Sequence, residues 1–191
     1  MSLVELIAQA DERGLAASGL ACLDRCVPLL GGDDEILRPL WASLAESEGW
    51  EDWGERVEQA RAKLDVPGVP EGGGLAEGEA TVLAQRMLGA VPVDRAGGKL
   101  REWADACSVA ALQIHRLLDA ASDGASSVTA RREGRTQDMS PLVAAELRRQ
   151  IAILELLSAH GPAGLRQALD LSTEGRRVLR AVVSRRARGR V

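Results

Sequence analysis

Apolar side chains return every three or four positions along nearly the whole chain, and no stretch alternates apolar with polar as a half-buried strand would. The clearest run is Trp50, Trp53, Val57, Ala60 and Leu64, whose spacing of 3, 4, 3 and 4 puts all five on one helix face. A pattern of this kind admits helices packed on helices and little else.

Caps and breakers divide the pattern into elements. Ser2 with Glu5 forms a capping box that opens a helix with Leu3, Leu6, Ile7 and Ala10 inward, and Gly14 is the expected stop. A second helix is expected from Leu15 to Val27, because Pro28 disfavours helical geometry at the residue before it. Asp33, Asp34 and Glu35 suit the positive end of a third helix, whose stripe is Ile36, Leu37, Leu40, Trp41 and Leu44, with a kink or late start at Pro39. The tryptophan-bearing fourth helix runs to Leu64. Residues 65–78, with two prolines and five glycines, read as a linker.

Beyond it, a helix from about Glu79 to Leu88 buries Leu83 and Met87. A longer one from Lys99 to Ala121 repeats Leu100, Trp103, Cys107, Ala111, Ile114 and Leu118. Residues 122–139 read as a long polar loop, a feature that is usually mobile or functional. Ser140 and Pro141 open a helix to His160, stopped by Gly161, whose broad apolar surface (Leu147, Ile151, Ile153, Leu154, Leu156, Leu157) predicts a central position. Short helices near Pro162–Leu169 and Ser172–Arg186 complete the expectation. The fold class is therefore all-α, a multi-helix bundle of about eight helices. It is divisible into an acidic N-terminal helical subdomain (1–64), a Pro/Gly linker (65–78) and a C-terminal helical bundle with a basic tail (79–191).

Charge follows the same division. Residues 1–80 carry 17 acidic and 6 basic side chains, whereas residues 81–191 carry 11 acidic and 18 basic ones. Arg176 to Val191 holds seven arginines and no carboxylate. Such a chain folds its ends together, pairs with a copy of itself, or offers a basic surface to an anionic partner. The candidate interaction surface is Arg176, Arg177, Arg180, Arg185 and Arg186, expected to face outward while Val178, Leu179, Val182 and Val183 dock on the core. There is no Phe, Tyr or Asn, and two Lys stand against 22 Arg. The missing residues have AT-rich codons, so the expected cause is a GC-rich bacterial genome, which weakens arginine over lysine as a sign of function.

Other motifs fail on their chemistry. Gly73 to Gly78 has phosphate-loop spacing, but Glu79 stands where a lysine would meet phosphate. Gly97-Gly98-Lys99 lacks the earlier glycine. Cys22 and Cys26 share a helix face without nearby metal-ligand partners and read as small buried hydrophobes. Asp119 to Ala130 lacks the glutamate that closes a calcium loop. His115 and Asp119, four apart, read as a surface link, and Cys107 lies about 12 Å along the helix from His115, too far for a nucleophile–base couple. The acidic residues read as scattered over solvent faces. No catalytic residue, cofactor or metal is therefore expected.

The run 153–183 resembles a helix-turn-helix DNA reader, with Leu165, Leu169, Leu171 and Ser172 in the places such motifs use. Arg166 and Arg176 depart from it, standing where a small and a buried apolar residue are usual. Three cysteines in odd number, no basic leader at Met-Ser-Leu-Val-Glu and no apolar run near ~18 residues predict a cytoplasmic protein without a membrane span. The leading expectation is a non-enzymatic helical protein–protein interaction or regulatory module whose partner is another protein or itself as a homodimer. The alternative is a DNA-associated regulator using 153–186, and the third is an enzyme of unknown class.

Overall fold

The computed structural model describes residues 1–46, 50–64 and 73–189. Among these residues the chain is all-α, with nine α-helices, two short 3-10 turns and no strand. The helices are α1 Leu3–Gln9, α2 Glu12–Cys26, α3 Arg38–Ala45, α4 Trp53–Leu64, α5 Leu75–Gly89, α6 Gly97–Leu118, α7 Val128–Arg132, α8 Pro141–His160 and α9 Leu165–Arg188. No helix among them is long and apolar enough to cross a membrane.

Local rules set most boundaries. The capping box at α1 is formed: the Glu5 amide donates to Ser2 Oγ at 3.3 Å and the Ser2 amide to Glu5 Oε2 at 2.7 Å. Gly14 does not end α1. Asp11 accepts from the Gly14 amide at 2.7 Å and starts α2 there, because a short acidic side chain competes well for orphan helix donors. Pro39 lies in the first turn of α3, so that helix starts late. The seam Trp50, Trp53, Val57, Ala60 and Leu64 is buried throughout. Residues 65–72 of the expected linker lie outside the described residues, and 75–78 are already helical. Leu83, expected in the core, is only half-buried.

The expected polar loop is organised around a cation. Arg131, 1% exposed, donates to the carbonyls of Arg135 (2.9 Å), Gln137 (2.5 Å) and Asp123 (3.1 Å), and α7 forms inside the segment. Three carbonyls around one buried guanidinium satisfy backbone that would otherwise need water. Ser140 precedes α8, yet its hydroxyl caps nothing. The cap is Asp119, whose Oδ2 accepts from the Leu142 amide at 2.8 Å.

The C-terminal segment departs most from expectation. Residues 165–188 form one uninterrupted helix of 24 residues, and no turn separates Leu169 from Ser172. Neither Gly nor Pro interrupts 168–172, and Leu165, Ala168, Ser172, Gly175 and Leu179 extend one buried stripe. The turn expected before Ser172 is therefore absent, and the turn in this segment is Gly161–Gly164, between α8 and α9.

The core is built around α2. Every residue from Gly14 to Cys26 is buried, and α2 packs against α6, α8 and α9. Its small residues permit that crowding: a Cβ on Gly19 would lie 2.5 Å from the Trp103 ring of α6, and one on Gly175 of α9 would lie 2.3 Å from Arg25 Cδ. One contiguous apolar cluster runs from Leu3 to Leu179, on both sides of the 65–78 segment.

Candidate functional site

The arginines of α9 separate into two groups. Arg176 points inward, 5% exposed, where the outward face was expected. Its NH1 donates to Asp24 Oδ1 at 2.6 Å, and Asp24 Oδ2 also accepts from Ser172 Oγ at 2.8 Å. Small Ser172 and Gly175 let α9 lie close on α2, which turns this face of the helix to the core. Burial pushes the Asp24 carboxyl up, against the pull of Arg176 and Ser172. Arg180 pairs with Asp34. Arg186 reaches Glu77 at 2.5 Å and the Leu118 carbonyl at 3.3 Å. Arg177 and Arg185 are exposed. Thus Arg176, Arg180 and Arg186 hold acidic residues of the N-terminal portion within the same chain. The exposed Arg180–Asp34 pair contributes at most about 1 kcal/mol, so it orients α9 more than it stabilises it.

A second polar cluster lies inside the bundle, where the sequence reading placed none. Arg25 of α2 and Glu146 of α8 are both 0% exposed and form a two-pronged pair, with Nε to Oε2 at 2.8 Å and NH2 to Oε1 at 2.6 Å. Gln150 donates to Glu146 Oε1 at 2.8 Å and accepts from Ser108 Oγ at 2.6 Å. Ser108 accepts from Arg132 Nε at 3.0 Å, and Arg132 pairs with Asp105 near the surface. This chain ties α2, α6, α7 and α8 together. Burial alone would raise the Glu146 carboxyl, but the Arg25 guanidinium beside it, with help from His115 and Gln150, holds it below the ordinary range. The visible signal was a lone Glu in the inward register of α8, between Val143 and Leu147.

His115 belongs to this cluster and not to the surface. It is 1% exposed, its Nδ1 sits 2.7 Å from the Ala111 carbonyl, and its Nε2 stands 3.6 Å from Glu146 Oε2. A carbonyl only accepts, so Nδ1 carries the proton of the neutral ring and Nε2 presents a lone pair to the carboxylate. Asp119, its expected partner, caps α8 instead. Burial holds His115 below the ordinary value of 6.5, with Glu146 opposing. A depressed imidazole contributes stability that is present above pH 6.5 and drains away as the pH falls through the folded-state value. Glu146 adds a loss of the same sign below 4.5. Asp24, raised, works in the opposite sense: its contribution is present below 3.8 and lost as the pH rises through its folded value. The His115 part should therefore lower urea midpoints as the pH falls below 6.5, and His115→Gln should remove that part of the slope, which a pH series of both proteins measures.

The three cysteines are fully buried as free thiols. Burial pushes Cys22 up to about 12 and Cys26 and Cys107 well above the ordinary thiol, so all three stay protonated and pack as small apolar groups. Among the described residues no group of three or more His, Cys, Asp or Glu is arranged to hold a metal ion. Asp123, within the 119–130 segment compared with a calcium loop, accepts from Arg116 Nε at 2.8 Å and from the Ser140 amide at 2.9 Å.

The outer surface carries an apolar groove of about 680 Å³ between α5 and α6. Its walls are two helical stripes. Glu79, Leu83, Arg86 and Met87 come from α5, with Ala90 just after it, and Trp103, Ala106, Cys107, Ala110 and Gln113 come from α6, with Val109 beside them. Leu83 is half-buried and Val109 is 36% exposed, so the groove is open to solvent along an apolar line. Trp103 anchors its floor by donating from Nε1 to the Met87 carbonyl at 3.0 Å, which locks the two helices together. Glu79 and Gln113 stand at one end, and Arg86 stands one turn short of Ala90 toward the other. Spacing alone left this groove unread, because it assigned Leu83 to the core. No family model, curated protein or solved structure matches this chain.

Proposed function

We propose that this protein is a non-enzymatic interaction or regulatory module that binds a partner helix in the α5/α6 groove. The groove itself carries the reading: two stripes of Leu, Met, Val, Ala and Trp, open to solvent, with Glu79, Arg86 and Gln113 along the rim. This is the surface that helix-in-groove recognition uses, where apolar anchors at helical spacing enter a preformed trough. The polar groups of the interior support it from the other side. Arg25, Glu146, Gln150, Ser108 and Arg132 are engaged with one another and hold the scaffold. The arginines of α9 that pair in cis likewise serve the fold. The expected surface is thereby narrowed to Arg177 and Arg185, and the groove takes the leading part.

A photo-reactive residue at Val109 or Leu83, introduced into the full chain in its source cells, tests the reading. Discrete adducts to a polypeptide are expected. Failure of both positions to form any polypeptide adduct would overturn it.

A further inference from the structure

The two charges on the α5 wall of the groove flank Leu83 in an order suited to self-pairing. Glu79 and Arg86 lie seven residues apart on α5, two helical turns or about 10.5 Å along the axis. Both are exposed, and neither side chain has a partner among the described residues. Between them the exposed side of α5 offers Leu83, facing Ala110 and Val109 of α6. We propose that the occupant of this groove is a second copy of the chain, packed with α5 antiparallel to α5 about a two-fold axis near Leu83. The proposal rests on the interaction-module reading and names its partner.

The argument is one of symmetry. In a two-fold interface each patch meets itself, so a surface with one charge at either end of an apolar strip is self-complementary only when the ends reverse. Antiparallel packing does this: Glu79 of one copy meets Arg86 of the other, and the reciprocal pair forms at the far end. Leu83 meets the partner's α5 near the axis, and the small Ala106 and Ala110 of α6 let the second helix sit low between α5 and α6. A parallel arrangement would set Glu79 against Glu79 and Arg86 against Arg86, and like charges in register oppose association.

Sedimentation velocity of the purified full chain over a concentration series provides the test. The native protein is expected to show a concentration-dependent monomer–dimer equilibrium. Glu79→Arg and Arg86→Glu should each weaken it about tenfold or more, because each places two like-charge contacts in the dimer. The double variant E79R/R86E should restore it, since reversed charges still match across a two-fold. Thermal unfolding extrapolated to the monomer should be unchanged in all three, both side chains being exposed. A chain that stays monomeric at every concentration overturns the proposal, as does a dimer indifferent to the single changes or a double variant that fails to recover. A monomer that still forms adducts to another polypeptide from Val109 sinks self-pairing alone and leaves the module reading standing. Absence of adducts sinks both.

Discussion

Replacing Glu146 by leucine should lower the unfolding free energy by about 3–5 kcal/mol, among the largest effects a single change in this chain can have. The reason is the partner left behind. Arg25 is 0% exposed and lies on α2 between α8 and α9; its Nε and NH2 donate to the Glu146 carboxylate at 2.8 and 2.6 Å, and beyond these NH2 has only a long contact to Cys22 Sγ at 3.5 Å. Without that carboxylate a guanidinium remains in a low-dielectric core, and Gln150 Nε2 keeps only its longer contact to the Ser108 carbonyl at 3.4 Å. The double variant Arg25→Met with Glu146→Leu should be much milder than the single change, because two apolar groups of similar volume carry no desolvation cost. Urea denaturation followed by circular dichroism, with an unchanged slope, measures both. If the single variant loses less than about 1 kcal/mol, the pair does not sit dry in the core as described.

Trp53→Ala should cost a similar 3–5 kcal/mol, through loss of packing and the cavity left by the ring. Trp53 is fully buried and stacks edge-on against Trp50 with ring centres 5.3 Å apart. Its Nε1 donates to the Pro92 carbonyl at 2.8 Å, so this one side chain fastens α4 to the α5–α6 connection. Trp53→Phe keeps most of the apolar area and drops the donor, and the expected loss is about 1–3 kcal/mol. Finding the two variants equal would mean the hydrogen bond, not the packing, holds α4 in place. A secondary effect on the groove is expected too: if α4 loosens the Pro92 segment, the self-pairing proposed above should weaken in Trp53→Ala even where the monomer remains folded.

The two polar clusters place different demands on the same bundle. Asp24–Arg176–Ser172 closes α9 on α2, and Arg25–Glu146 closes α8 on α2, one residue further along. Neighbouring residues on one helix diverge by about 100°, so Asp24 and Arg25 reach different partners from adjacent positions. A ladder of this kind fixes the register of both C-terminal helices, because a one-turn slip would leave four buried charges unmatched. The glycines beside it belong to the same design. Gly175 gives Arg25 its path, and any larger residue there must displace the Cδ of that side chain.

Helix identity was legible in the sequence because it depends on neighbours along the chain. The capping box at Ser2, the late start at Pro39, the Trp50–Leu64 seam, the Ser140–Gly161 limits of α8 and the all-α class all follow from local spacing and from residues that break or cap a helix. What spacing could not supply was the direction of long polar side chains. Arginine, glutamate and histidine occupy both inward and outward registers, and whether one is buried depends on a partner that lies 121 residues away for Arg25 and 152 for Arg176. The turn expected before Ser172 fails for the same reason: the stripe from Leu165 to Leu179 gains by staying continuous only once α2 lies beneath it. Leu83 shows the converse, an apolar residue in a core register left at a groove because no further helix of the chain covers it among the described residues. Sequence determined most of the helical segments and which of their faces are apolar, while α7 and the unbroken length of α9 were not legible in it. The packing of α6, α8 and α9 around α2 decided which charges meet and which apolar stripe stays open, because burial and pairing are properties of contacts between distant parts of the chain.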